Sequence, residues 1–244
     1  IRNVVFGEGI PKICIPLTDA NIEELSKSVN ELKSAPFDMV EWRADFFNDI
    51  EDPQKRFQAM SFLREQLGNT PILFTARTSV EGGKLDIDTE GHVKLLTSVI
   101  DTGLMDLVDV ELSRGEDAMK TIRDAAHKAG MHIIGSLHDF ASTPSKERIV
   151  YHLCQMQKLG ADIVKYAVTP QCARDVLTLL DATLTMQEEH NETPVITMSM
   201  GGQGAVSRVC GSVFGSSITF GTAGNSSAPG QLPADLLSTF INNL

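Results

Sequence analysis

The 244-residue sequence has no cluster of lysines and arginines, no cysteine pair at CxxC spacing and no apolar run long enough to span a bilayer. Each absence excludes a class of function. With a formal net charge of −11 and no basic patch, the surface has little to offer nucleic-acid phosphates or an anionic membrane, so neither is expected as a partner. Cys14, Cys154, Cys172 and Cys210 are widely spaced and mostly in apolar contexts, which reads as buried free thiols in a reducing compartment; the chain is expected to be cytoplasmic. No HExxH and no two-histidine-one-carboxylate spacing marks a metal site. No GxGxxG turn follows the first strand, which argues against a doubly wound dinucleotide fold. No charged-then-apolar leader stands at Ile1, and the missing initiator Met suggests a trimmed start.

What is present is a regular alternation. A hydrophobic content of 42% is ample for a core. Asn3 to Phe6 and Lys12 to Leu17 read as strands joined through Gly7-Glu-Gly9, a hairpin entering the first strand. Helices are expected at about Asn21 to Lys33, Pro53 to Leu67, Gly91 to Asp101, Gly115 to Ala129, Thr143-Pro144 to Leu159 and Gln171 to His190, with a short one around Ala205 to Val213 and a last one from Pro233 to Ile241. Between them lie strands at Asp38–Asp45, Pro71–Arg77, Leu107–Leu112, His132–Asp139, Ala161–Pro170, Pro194–Met200 and Ser217–Gly221. Eight strands at roughly 30-residue spacing with no linker predict one α/β domain over residues 1–244, a (β/α)8 TIM barrel with an N-terminal β-hairpin.

The chemistry centres on Lys165, set within the β-branched run Ile163-Val-Lys-Tyr-Ala-Val168. Burying an ammonium there costs several kcal/mol unless it is paired or neutral. Desolvation favours the free amine, which attacks carbonyls to form a Schiff base; the competing reading is a strand-end lysine whose head reaches water. Polar residues two apart near strand ends share a face: Glu41 and Arg43 with Asp45, Thr75 and Arg77, Asp109 and Glu111, Ser136 and His138, Met198 and Met200. Parity aims them at the barrel mouth, where barrel enzymes keep their sites. His92, His127, His132, His152 and His190 read as solvated or capping, whereas His138 is placed to take a proton from the carbon beside an imine. Glu81 is either its orienting carboxylate or an ordinary solvated loop residue. Arg43, Arg77 and Arg208, at or after strand ends, suit a small carboxylated, hydroxylated keto compound, or are ion pairs at the surface or behind the site.

These residues resemble the type I 3-dehydroquinases over essentially the whole chain. The resemblance rests on Gly7-Glu-Gly9, Glu41-Trp-Arg43, Glu81-Gly-Gly83, Val108-Asp-Val-Glu-Leu112, Ile133 to Phe140 with Ser136-Leu-His-Asp139, Lys165, Ile196-Thr-Met-Ser-Met200, Ser207-Arg208 and Ser227-Ala-Pro-Gly-Gln231. It implies a homodimeric barrel that dehydrates 3-dehydroquinate to 3-dehydroshikimate in the shikimate pathway without metal or cofactor. Lys165 would be the Schiff-base lysine, His138 the general base and acid, and Glu81 the residue that orients it. Asp109 would lend support from behind, and Arg208 would anchor the carboxylate. Glu41, Arg43 and Arg77 would surround the ring hydroxyls, Met198 and Met200 would pack near the ring, and Ser227 and Gln231 would belong to a mobile closing loop. Pro16 and Leu137 depart from the family pattern, each removing one polar contact. A class I aldolase and a catalytically silent binder of the same ligand are the competing readings.

Overall fold

The computed structural model describes residues 1–224 and 227–244. Its centre is a parallel sheet closed on itself. Strands β1 (Lys12–Leu17), β2 (Met39–Arg43), β3 (Ile72–Thr75), β4 (Leu107–Glu111), β5 (His132–Asp139), β6 (Ile163–Val168) and β7 (Val195–Ser199) pair in chain order, and β8 (Ile218–Thr222) pairs back onto β1. A parallel bridge from Val195 to Ser216 joins β7 to the approach of β8 and completes the barrel. A two-residue strand, β9 (Leu232–Pro233), extends β8.

Helices α1 (Ile22–Leu32), α2 (Pro53–Leu67), α3 (Thr89–Ile100), α4 (Glu116–Lys128), α5 (Lys146–Lys158) and α6 (Ala173–Glu189) connect the first seven strands and pack on the barrel's outside. Asn21 caps α1 by accepting from the Glu24 amide, and Asp52 caps α2, whose Pro53 stands where no intrahelical N–H is needed. Ser145, not the Thr143-Pro144 pair, caps α5, because its hydroxyl accepts from the Arg148 amide. After the one-turn α7 (Gly201–Gly204), the single helix expected over 205–213 is instead two one-turn pieces, α8 (Val206–Val209) and α9 (Gly211–Phe214). Gly201, Gly202, Gly204, Gly211 and Gly215 crowd this stretch, and glycine disfavours helix continuation. The last helix, α10 (Ala234–Ile241), returns against β1 and β8.

The N-terminal hairpin does not form, since residues 1–11 contain no strand. Instead Ile1 and Phe6 pack against the apolar lower layer of the barrel interior, made of Cys14, Met39, Leu73, Leu107, Ile134, Ile163, Ile196 and Ile218. Covering that otherwise exposed apolar floor is worth more than a marginal two-stranded ribbon.

The floor is tied by one device used at alternate strands. Asp38, Asp106 and Asp162, each just before an even-numbered strand, accept the backbone N–H of Ile13, Ile72 and Ile133 on the preceding odd strand. Ser216 does the same for Thr197 ahead of β8. Burial alone would raise the Asp162 carboxyl, but the His132 ring 3.6 Å away and hydrogen bonds with the Ile133 amide and His127 hold it down at about 2. Its folded value is depressed, so its stabilisation is present above the unfolded value near ~3.9 and is lost as pH falls towards 2. Asp162→Asn is therefore expected to lower stability at pH 7 by about 1 kcal/mol, discounted for partial exposure. In urea titrations the gap to the parent should close between about pH 4 and 2; a gap independent of pH would contradict this role.

The cysteines are free, with Cys14 and Cys210 buried; Cys172, expected inside, is exposed at the start of α6. His92 corrects the reading of its type: it is 1% exposed, because His92, Leu95, Leu96 and Val99 share the core-facing stripe of α3. Burial keeps it neutral, and neither ring nitrogen has a hydrogen-bond partner. His190 caps α6, as expected, and His127 is half-exposed beside Asp162. Among the described residues no helix is long and apolar enough to cross a membrane.

Candidate active site

The polar strand ends converge at the carboxyl end of the barrel. There, Glu41, Arg43, Arg77, Glu81, His138, Lys165, Met198 and Met200 line one cavity of about 160 Å3, closed by Phe140, Phe220 and the Ser227–Gln231 segment. Lys165 is 4% exposed. Its Nζ stands 3.8 Å from Glu41 Oε1, 3.8 Å from Asp109 Oδ2 and 4.4 Å from the centre of the Phe220 ring. The water-reaching lysine of the competing reading is thereby excluded.

His138 is on the neighbouring strand, where Ser136 pairs in register with Lys165 and His138 with Ala167. Same-face alternation brings imidazole and amine to one mouth. Burial, followed by the positive charges of Arg77, Lys165 and Arg43, holds His138 well below the ordinary histidine range, so the ring is neutral. Nδ1 lies 2.8 Å from Glu81 Oε2. A neutral ring facing a carboxylate donates from Nδ1, which leaves the lone pair on Nε2. Glu81 is 2% exposed and not a solvated loop residue. Burial pushes its carboxyl up to about 7, against the opposing charge of Arg77, whose Nη1 is 3.8 Å away, and a hydrogen bond from Ser113 Oγ.

The loop that carries Glu81 is shaped by glycine. Gly82 has φ +78°, and a Cβ there would enter the Phe140 ring; a Cβ on Gly83 would enter the Arg77 carbonyl. The loop therefore lies flat on the end of β3 and turns Glu81 inwards. Phe140 in turn lies 6.4 Å from the His138 ring, nearly parallel to it.

Behind the cavity runs a charge network. Arg77 donates to Asp109 Oδ2 at 2.7 Å, and to Glu111 Oε1 and Ser136 Oγ at 3.0 Å each. Burial opposes its charge, but Asp109, Glu111 and Glu81 more than offset that and hold the guanidinium firmly protonated. Burial likewise opposes the Asp109 anion, yet Arg77 and Lys165 keep its carboxyl below the usual range. Asp45 accepts both Nε and Nη2 of Arg43 at 2.8 Å and also the Lys84 amide, so one carboxylate fixes the arginine and the Glu81 loop. Thr75 Oγ1 donates to Glu41 Oε1 at 2.8 Å. Ser227 and Gln231 are joined by two hydrogen bonds, from the Ser227 amide to Gln231 Oε1 and from Gln231 Nε2 to Ser227 Oγ.

Arg208 is the exception. It does not line the cavity but is buried behind it, with Nη2 donating to the Pro229 carbonyl at 3.1 Å and Nη1 3.8 Å from Met198 Sδ. Among the described residues no carboxylate forms an ion pair with it, and its Nε has no hydrogen-bond partner. Burial lowers it to about 10. Pro16 and Leu137 are not among the residues that line the cavity. Residues that motif reasoning left unassigned are Phe220, which shares the inward parity of Ile218, and Ser113, on the turn after β4, for which no periodic signal exists. Among the described residues no group of three or more His, Cys, Asp or Glu could hold a metal ion.

A cavity that pairs a buried amine with a carboxylate-oriented imidazole is equipped for imine formation followed by proton transfer. Comparison with known proteins gives that chemistry a context. The family model for type I 3-dehydroquinase matches residues 13–244. The chain is 46% identical over 244 residues to the 3-dehydroquinate dehydratase of Syntrophotalea carbinolica, covering 100% of this chain and 96% of the relative. It is 47% identical over the same length to that of Listeria innocua, again covering 100% and 96%. The crystal structure of the type I 3-dehydroquinate dehydratase from Clostridium difficile with covalently modified comenic acid superposes with a TM-score of 0.96 at 44% identity, covering 100% of this chain and 95% of that one.

Proposed function

Because the chain belongs to the type I 3-dehydroquinase family, we propose that the cavity at its barrel mouth dehydrates 3-dehydroquinate with Lys165 and His138 as its working pair. The enzyme is a lyase of the shikimate pathway, converting 3-dehydroquinate to 3-dehydroshikimate through a lysine Schiff base. One observation carries the assignment of roles: a buried amine and a neutral, carboxylate-held imidazole on adjacent strands open into one cavity.

Lys165 Nζ attacks the C3 ketone, and loss of water from the carbinolamine leaves an iminium. The iminium acidifies the C2 proton, which His138 removes to give an enamine. The enamine expels the C1 hydroxyl as His138 returns the proton, forming a conjugated iminium, and water then releases the enone and the free lysine. Glu81 holds the tautomer that makes this possible. Glu41, Arg43 and Arg77 meet the ring hydroxyls, while Met198 and Met200 pack on the ring. Ser227 and Gln231 close the cavity and exclude water from the imine. The four free thiols support a cytoplasmic setting, and the family resemblance supports a homodimer, which sedimentation equilibrium tests directly.

Arg208 binds the substrate carboxylate by exchanging the Pro229 carbonyl for it. A buried guanidinium with no carboxylate partner is under-satisfied, and a substrate anion would complete it. Arg208→Ala is expected to raise KM by about 100-fold, with a smaller change in kcat. The function itself is tested by following near-ultraviolet absorbance on mixing with 3-dehydroquinate. Appearance of the conjugated enone supports dehydration; a carbon–carbon cleavage product would restore the aldolase reading, and binding without turnover the silent binder.

A further inference from the structure

Glu81 is not held by the histidine alone. Its Oε2 faces His138 Nδ1, and its Oε1 accepts from the Ser113 hydroxyl, which comes from the 3-10 turn Leu112–Arg114 after β4. The other charged groups around this carboxylate are fixed by their own partners. Arg77 is committed to Asp109 and Glu111, and Glu111 also accepts from the amide and hydroxyl of Thr78. Arg43 is occupied by Asp45, Lys165 faces Glu41 and Asp109, and Tyr166 lies beyond on β6. Ser113 is therefore the neutral donor that belongs to Glu81.

We infer that Ser113 is a positioning residue, whose hydroxyl sets the rotamer of Glu81 and keeps it an anion, so that His138 retains its proton on Nδ1 and its lone pair on Nε2. A carboxyl that took up a proton would donate to Nδ1 instead, shift the ring proton to Nε2 and remove the base. Donation from Ser113 opposes that, because a hydrogen bond to a carboxylate favours its charged form. Balance of this kind matters in a carboxyl that burial already pushes up to about 7. The Glu81–His138 pair then takes up its proton as a unit, and the acid limb of the activity profile reports the pair. Ser113 itself is on the exposed side of the turn, so replacing it does not open the core.

The inference rests on the roles proposed above for Glu81 and His138, and the test separates the two. Ser113→Val and Ser113→Thr are nearly the same shape, differing by methyl for hydroxyl. In Ser113→Val the acid-limb midpoint of kcat/KM should rise by about one unit, giving about a tenfold loss at pH 6 and near-parental activity at pH 8.5. Ser113→Thr should keep the parental profile. Both should trap the borohydride adduct on Lys165 at pH 8.5 as the parent does. A valine variant with an unmoved limb, or one uniformly slower at every pH, overturns the inference while leaving Glu81 in place. If Glu81→Gln also keeps the parental profile, it is the reading of the Glu81–His138 pair that fails.

Discussion

Lys165→Ala is expected to lower turnover by at least about 10⁴-fold and to abolish the mass adduct that borohydride fixes in the presence of 3-dehydroquinate. The size follows from what the amine does. In the proposed role it replaces a ketone, a poor activator of its neighbouring C–H bond, with an iminium, and among the described residues no other group lining the cavity has a nucleophilic nitrogen in that position. The substitution also leaves Glu41 and Asp109 facing a space that had held the lysine nitrogen at 3.8 Å. Removing one member of a buried charge cluster costs about 3–5 kcal/mol, so lost activity alone would be ambiguous. Lys165→Met fills the space without a nucleophile, and unfolding curves for both variants separate a folded, inert barrel from a broken one. Turnover within tenfold of the parent in a folded variant, or an adduct on another lysine, would remove Lys165 from the centre of the mechanism.

Much of this arrangement was legible because it is periodic. Strands with a two-residue alternation and helices with a 3.6-residue stripe announce themselves, and β1, β5 and α2 have the bounds that pattern and capping predict. Inward parity sufficed to bring Glu41, His138 and Lys165 together from three strands, with Arg77 just past the end of β3. Features set by long-range packing were not legible. Asn3 to Phe6 looks like half of a hairpin, and only the closed barrel reveals the apolar floor that Ile1 and Phe6 cover. His92 looks like any surface histidine until the register of α3 is known. Arg208 lies on a chain of single helical turns, so strand spacing could not say that it would be buried behind Met198 rather than in the cavity wall. Ser113 finds Glu81 across 32 residues of sequence, a contact made by two turns at the ends of β3 and β4.

His138→Gln is expected to separate the two halves of the reaction. Glutamine preserves a polar side chain for the Glu81 carboxylate but has no lone pair that can accept the C2 proton. Enone formation should fall by about 10²–10⁴-fold, the usual range for losing a positioned general base. The amine is untouched, so an iminium should still form and, with its outlet blocked, persist. Borohydride should then fix an adduct with the mass of the undehydrated substrate on Lys165, while the parent also yields the dehydrated species. The same logic fixes the pH behaviour. The parental profile is expected to fall on the acid side as the Glu81–His138 pair takes up a proton, near the value of about 7 to which burial raises Glu81, so that activity rises with pH through that point. The residual rate of the glutamine variant should not show this limb, because the base that gave it meaning is gone. Near-parental enone formation, or a glutamine variant that keeps the acid limb, would mean that a group other than His138 moves the C2 proton. Of the titratable groups around the cavity, Glu81 would then be the one to examine, since its carboxyl is buried 2.8 Å from the imidazole it would replace.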